Sequence, residues 1–132
     1  MYLLDTNICI YIINKRSQNA AAVFASKPPF SIKLSAVTLA ELEYRASKSR
    51  NRERNRLALL DFAAPFEILP FTEEDAEVFG VIRAALEREG RVIGAYDMQI
   101  AAQALKRGLT LVTNNMREFE RVPELKSENW AV

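Results

Sequence analysis

The chain opens Met1-Tyr2-Leu3-Leu4-Asp5-Thr6-Asn7-Ile8-Cys9-Ile10, a short apolar strand signal that turns at an acidic residue into an apolar helix. The pattern predicts a buried strand over Tyr2–Leu4 and a helix from Thr6 to about Lys15, with a polar break at Asn14-Lys15-Arg16-Ser17. Outward from there, helices are predicted over Gln18–Ser26, Val37 to about Ser47 and Arg52–Ala63. In the last of these, Leu57, Leu60 and Ala64 share one side. Thr72-Glu73-Glu74-Asp75 masses acids in a first turn, so a helix starts there and runs to about Glu89, ended by Gly90. Another spans about Tyr96 to Lys106 and stops at Gly108. Further strands fall at Ile32–Leu34, Phe66–Leu69 and Leu109–Val112. A short helical turn is expected at Glu118–Arg121, and an edge strand before Trp130.

Strands separated by one or two helices imply a mostly parallel, roughly five-stranded sheet with helices on both faces, an α/β fold in a single domain over residues 1–132. In such sheets the functional crevice lies outside the carboxyl ends of the strands. Asp5, Ser35 and Thr113 each follow a strand. Glu41 and Asp97 join them if their helices start beside the same edge.

The chain has no histidine, so acid–base or hydrolytic chemistry must run on carboxylates, metal ions and water. Taken singly, each acid has a structural explanation. Asp5 can cap the helix that follows it, Thr38-x-x-Glu41 matches a capping box, and Asp97 is favoured by a helix dipole. As a set flanked by apolar residues, the three suit a hard cation. Mg²⁺ and Mn²⁺ prefer oxygen ligands and pair carboxylates with substrate phosphates. The reaction class this implies is phosphodiester hydrolysis.

With 49% apolar and 27% charged residues the composition is that of an ordinary globular protein. The longest apolar run, Ile8–Ile13, is far short of a membrane span, and no signal peptide is read. Cys9 is the single cysteine, which fits a reducing cytoplasm and a buried structural thiol. Net charge is +1, yet residues 45–56 carry six basic residues against Glu53 alone, a local charge of +5. Arg45, Lys48, Arg50 and Arg52 are therefore candidate contacts to a phosphate backbone, set against a merely solvated turn. Tyr96 is expected to pack beside the site rather than stack on a base. Leu39, Leu42 and Tyr44 are candidates for a protein-interaction groove, and Trp130 for a core or edge anchor.

Leu3-Leu4-Asp5-Thr6-Asn7, Ser35-x-x-Thr38-x-x-Glu41, Ile93-Gly94-x-x-Asp97-x-x-Ile100-Ala101 and Leu111-Val112-Thr113-Asn114-Asn115-x-x-Glu118-Phe119, in that order, resemble a PIN-domain ribonuclease, more narrowly a VapC-type toxin of a type II toxin–antitoxin module. The resemblance implies a three-layer α/β/α sandwich and Mg²⁺- or Mn²⁺-dependent endoribonuclease activity on structured RNA. In the subgroup most like this chain, the expected substrate is initiator tRNA, cut in its anticodon stem-loop. It also implies a homodimer, inhibition by a VapB-type antitoxin, and contact with promoter DNA only through that antitoxin.

By resemblance, Asp5, Glu41 and Asp97 are metal ligands, while Thr6, Asn7, Ser35 and Thr113 support the site. The chain departs from the pattern at the fourth acidic position, where Asn115 stands. Glu118, one helical turn on, is the candidate to supply the missing charge. Two other classes compete. An aspartyl-phosphate enzyme would use Asp5 as nucleophile, but Asn7 stands where such enzymes place a second Asp. A non-catalytic binding module would carry an idle acidic cluster.

Overall fold

The computed structural model describes residues 1–132. Its elements are β1 (Tyr2–Leu4), α1 (Thr6–Ile13), α2 (Gln18–Ser26), a 3-10 turn (Pro29–Ser31), β2 (Ile32–Ser35), α3 (Ala36–Lys48), α4 (Arg52–Ala63), β3 (Glu67–Leu69), α5 (Glu73–Arg88), α6 (Ala95–Arg107), β4 (Thr110–Val112), α7 (Met116–Phe119) and β5 (Ser127–Glu128). The five strands form one sheet in the order β3-β2-β1-β4-β5, and every pairing is parallel. From β1 the chain builds outward through β2 to β3, then returns to place β4 on the other side of β1. The reversal between β1 and β4 opens a crevice at their carboxyl ends, the place where parallel sheets bind ligands.

Side chains alternate across the sheet, and the core divides accordingly. Leu3 and Leu111 point to a layer packed under α5 and α6, with Ile82, Leu86, Met98 and Phe119. Leu4 and Val112 point to the opposite layer, with Ile8, Leu34, Leu42, Leu59 and Trp130. The result is the α/β/α sandwich expected from the sequence. Trp130 is buried at the β5 edge, its ring edge-on to Tyr2 at 5.2 Å.

The inward face of α4 differs from the one expected. Leu57 and Leu60 are 62% and 41% exposed, and Leu59 is buried instead. An aromatic cluster sets that rotation: Phe62 stacks on Phe24 at 5.6 Å, and Phe66 lies 5.7 Å from each ring. The start of α5 is a full capping box. Thr72 Oγ1 accepts from Asp75 N–H, and Asp75 accepts from Thr72 N–H. Buried Asp75 also takes two hydrogen bonds from Arg107 of α6, at 2.6 and 3.1 Å. Burial pushes the Asp75 carboxyl up, but the Arg107 guanidinium and the Thr72 hydrogen bonds outweigh it and hold the group below the usual carboxylate range. The pair clamps α5 to α6. No helix is long and apolar enough to cross a membrane.

Candidate active site

Asp5 ends β1 as the N-cap of α1, its Oδ1 accepting from Ile8 N–H at 2.8 Å. Its capping role is therefore real, and the Thr113 side chain also acts on the carboxyl, drawing its pKa down. Buried Thr113 follows β4, so the β1–β4 pairing itself brings these residues together. The Thr113 hydroxyl also accepts from Asn115 N–H at 2.9 Å, which turns the chain into α7.

Glu41 does not cap a helix. The cap of α3 is Ser35, whose Oγ accepts from Val37 N–H at 3.0 Å, and Thr38 lies buried inside the helix. Glu41 is thus carried into the second turn and faces α1. Its Oε1 accepts from the Thr6 hydroxyl at 2.8 Å, and that hydroxyl lies 3.4 Å from the hydroxyl of Thr38. Asn7 is exposed on the first turn of α1.

Asp97 is in the first turn of α6, capped by Gly94 without a side-chain bond. Gly94 permits a close approach: a Cβ there would lie 3.2 Å from Asp97 Oδ2. The same backbone donates its N–H to Glu118 Oε1 at 3.1 Å, and Asn115 Nδ2 donates to Glu118 Oε2. Glu118 is thereby set beside Asp97 and is among the groups that raise the Asp97 carboxyl. Asn115 therefore orients Glu118, and Glu118 carries the charge into the cluster.

The electrostatics follow from crowding. Burial, and secondarily the charges of Glu41 and Glu118, raise Asp5 to about 6 against the opposing bonds from Thr113 and Ile8. Burial, the Glu118 hydrogen bond and the charges of Glu118, Asp5 and Glu41 raise Asp97 to about 7. Four oxygen-donor groups from α1, α3, α6 and α7 thus repel one another in one crevice. A hard divalent cation would relieve that repulsion, and the donor set fits one in kind. No three of the groups converge as ligands of one ion in their present rotamers. Asp5, Glu41 and Glu118 are each tied to Ile8, Thr6, and Gly94 with Asn115, respectively.

Sequence reasoning passed over Gln103. Its side chain is fully buried, accepts from Ser35 Oγ, and donates to the carbonyls of Leu69 and Pro70 at 3.3 and 3.2 Å. It ties the caps of β2 and β3 to α6 beneath the site. The available signal was a lone amide within Ile100-Ala101-Ala102-Gln103-Ala104. The basic candidates divide. Arg45 and Lys48 line a cleft that also contains Glu41, whereas Arg52 borders a separate depression with Glu53 and Arg56, and exposed Arg50 lines neither. Of the groove candidates, Leu42 is core and Leu39 packs against core, leaving Tyr44 exposed. Tyr96 is 59% exposed and borders the same cleft as Glu41.

The PIN domain family profile matches residues 2–125. The chain belongs to the PIN domain family. Within it, this PIN domain groups with the VapC ribonucleases. It is 44% identical over 129 residues to Ribonuclease VapC2 of Haemophilus influenzae, covering 98% of this chain and 97% of the relative. It is 42% identical over 130 residues to the tRNA(fMet)-specific endonuclease VapC of Shigella flexneri, covering 98% of both. The PIN fold superposes on the crystal structure of VapBC2 from Rickettsia felis bound to a DNA fragment from their promoter, with TM-score 0.90, 39% identity and 98% coverage of both chains.

Proposed function

We propose that the chain is a divalent-cation-dependent endoribonuclease toxin that cuts structured RNA, with initiator tRNA cleaved in its anticodon stem-loop. The observation that carries this reading is the gathering of Asp5, Glu41, Asp97 and Glu118 at the β1–β4 switch point, where burial and their mutual charge raise Asp5 and Asp97. The name of the Shigella flexneri relative supports the tRNA assignment. The promoter-bound VapBC2 complex supports a VapB-type antitoxin as partner, with DNA reached through it. A homodimer acting in the cytoplasm completes the proposal.

Asp5, Glu41 and Asp97 would hold Mg²⁺ or Mn²⁺, with Glu118 as the fourth charge. The cation would supply positive charge at the scissile phosphate and lower the pKa of a nearby water. The chain's own residues do the positioning. Asp5 is fixed by the α1 cap and Thr113, Glu41 by Thr6, and Glu118 by Gly94 and Asn115. Burial and the neighbouring carboxyl groups raise Asp97 to about 7, a range suited to general acid–base proton transfer. End-mapping of RNA cleaved by purified protein in Mg²⁺, against an Asp5→Asn control, tests the reading. Cleavage should vanish on chelation and in Asp5→Asn; undiminished cleavage by Asp5→Asn refutes it.

A further inference from the structure

The cleft that starts at Glu41 continues away from the acidic cluster between α3 and α6. It has a volume of about 650 Å³ and is walled by Tyr44, Arg45 and Lys48 on α3 and by Tyr96 and Gln99 on α6. Tyr44 and Tyr96 are 64% and 59% exposed, although each is large and apolar over most of its surface. The Lys48 ammonium lies 4.8 Å above the Tyr44 ring. Two exposed aromatic rings with two cations, opening directly off a carboxylate cluster, combine what a single-stranded nucleic acid requires. Rings accept base faces, cations track the backbone, and both are tolerant of sequence.

We propose that this cleft is the subsite for an unpaired nucleotide next to the scissile phosphate. Its base would stack on Tyr44 or Tyr96, and the neighbouring phosphates would be held by Arg45 and Lys48. The proposal rests on the nuclease reading and adds to it the place where an unpaired base is selected. Charge complementarity decides the occupant. The acidic cluster repels phosphate unless a cation is present, whereas the cleft beside it is lined by two basic side chains and one acid, Glu41. A substrate strand is therefore anchored in the cleft and led past Glu41. Gln99, at the same wall, offers amide donors and acceptors to a base edge.

The test separates binding from cleavage. A short single-stranded RNA carrying 2-aminopurine is titrated against the protein in EDTA. Stacking should quench the fluorophore. Tyr44→Ala or Tyr96→Ala should weaken binding roughly tenfold and reduce the quench, whereas Tyr→Phe at either position should preserve both. Lys48→Ala should lower the slope of log affinity against log salt by about 0.7, one phosphate contact to a single strand. If both alanine variants bind and quench like the parent, the proposal fails. It fails equally if their only effect is on self-association or on capture of an antitoxin, which would make the cleft a protein interface. Quenching that depends on the tyrosines in a protein that never cleaves RNA would uphold the cleft and overturn the nuclease. Cleavage indifferent to both tyrosines would do the reverse.

Discussion

Asn115 Nδ2 donates to Glu118 Oε2 and, together with the Gly94 N–H on Oε1, sets the Glu118 carboxylate of α7 beside Asp97 in the first turn of α6. That placement makes Glu118 part of the acidic cluster despite its position outside the usual fourth slot. Glu118→Gln removes the charge while keeping the shape. Its cleavage should need about tenfold more Mg²⁺ for half-maximal rate, the usual scale for loss of a group supporting a metal site. A rate-versus-Mg²⁺ curve that superposes on the parent's would show that Asn115 alone suffices.

The raised carboxyls give the cation-free protein a stability that depends on pH. Asp5 at about 6 and Asp97 at about 7 both lie above the ordinary 3.8. Between those limits the folded chain binds more protons than the unfolded one, so stability falls as pH rises. The melting temperature in EDTA should decline from pH 5 to pH 8. Mn²⁺ should raise it most at pH 8, above the values of both Asp5 and Asp97. A flat profile, or equal Mn²⁺ effects at both pH values, would contradict this.

Asp75 acts in the opposite sense. Its carboxyl is held below 3.8, so its contribution is present above the ordinary carboxylate range and is lost as pH falls through its lowered pKa. Arg107→Ala would leave a buried carboxylate facing Thr72 alone and should cost about 3 kcal/mol by urea denaturation. It should also abolish the acid-side loss attributable to Asp75. The double variant Asp75→Asn/Arg107→Ala should recover part of the loss, because no buried charge remains.

Gln103→Leu removes the amide that spans Ser35, Leu69 and Pro70. The buried Leu69 carbonyl, the partly buried Pro70 carbonyl and a hydroxyl then lose their partner, at a cost of roughly 2 kcal/mol. Since Ser35 caps α3, the change should also lower cleavage by loosening Glu41, while unpaired-RNA binding in EDTA stays within about twofold if the cleft survives as a rigid wall. Unchanged stability would mean that water satisfies those groups.

Much of this was legible because the signals are local. The strand at Tyr2–Leu4, the α2 span and the Gly108 stop depend on neighbouring residues, and the alternation of strands with helices then dictates a parallel sheet. The meeting of Asp5 with Thr113 follows from the β1–β4 pairing that this sheet makes available. What was not legible depends on distant partners. The run Leu57-Ala58-Leu59-Leu60 presents apolar residues on adjacent faces of α4, and only Phe24 and Phe66 decide which face turns inward. Thr38-x-x-Glu41 has the spacing of a capping box, but Ser35 starts α3 one turn earlier and leaves Glu41 free to meet Thr6. The burial of Gln103 is invisible within an apolar run until β3 ends above it.

The strand order also has a consequence in time. Translation delivers Asp5 first and Glu41 soon after, but β4, which seats Thr113 beside Asp5, and α7, which carries Glu118, are among the last elements made. A chain still threaded through the ribosome holds its early acids on a sheet that lacks the neighbouring strand. The crevice therefore closes only after synthesis of the final helix. Until then the nascent chain carries acidic residues that have not yet been brought together.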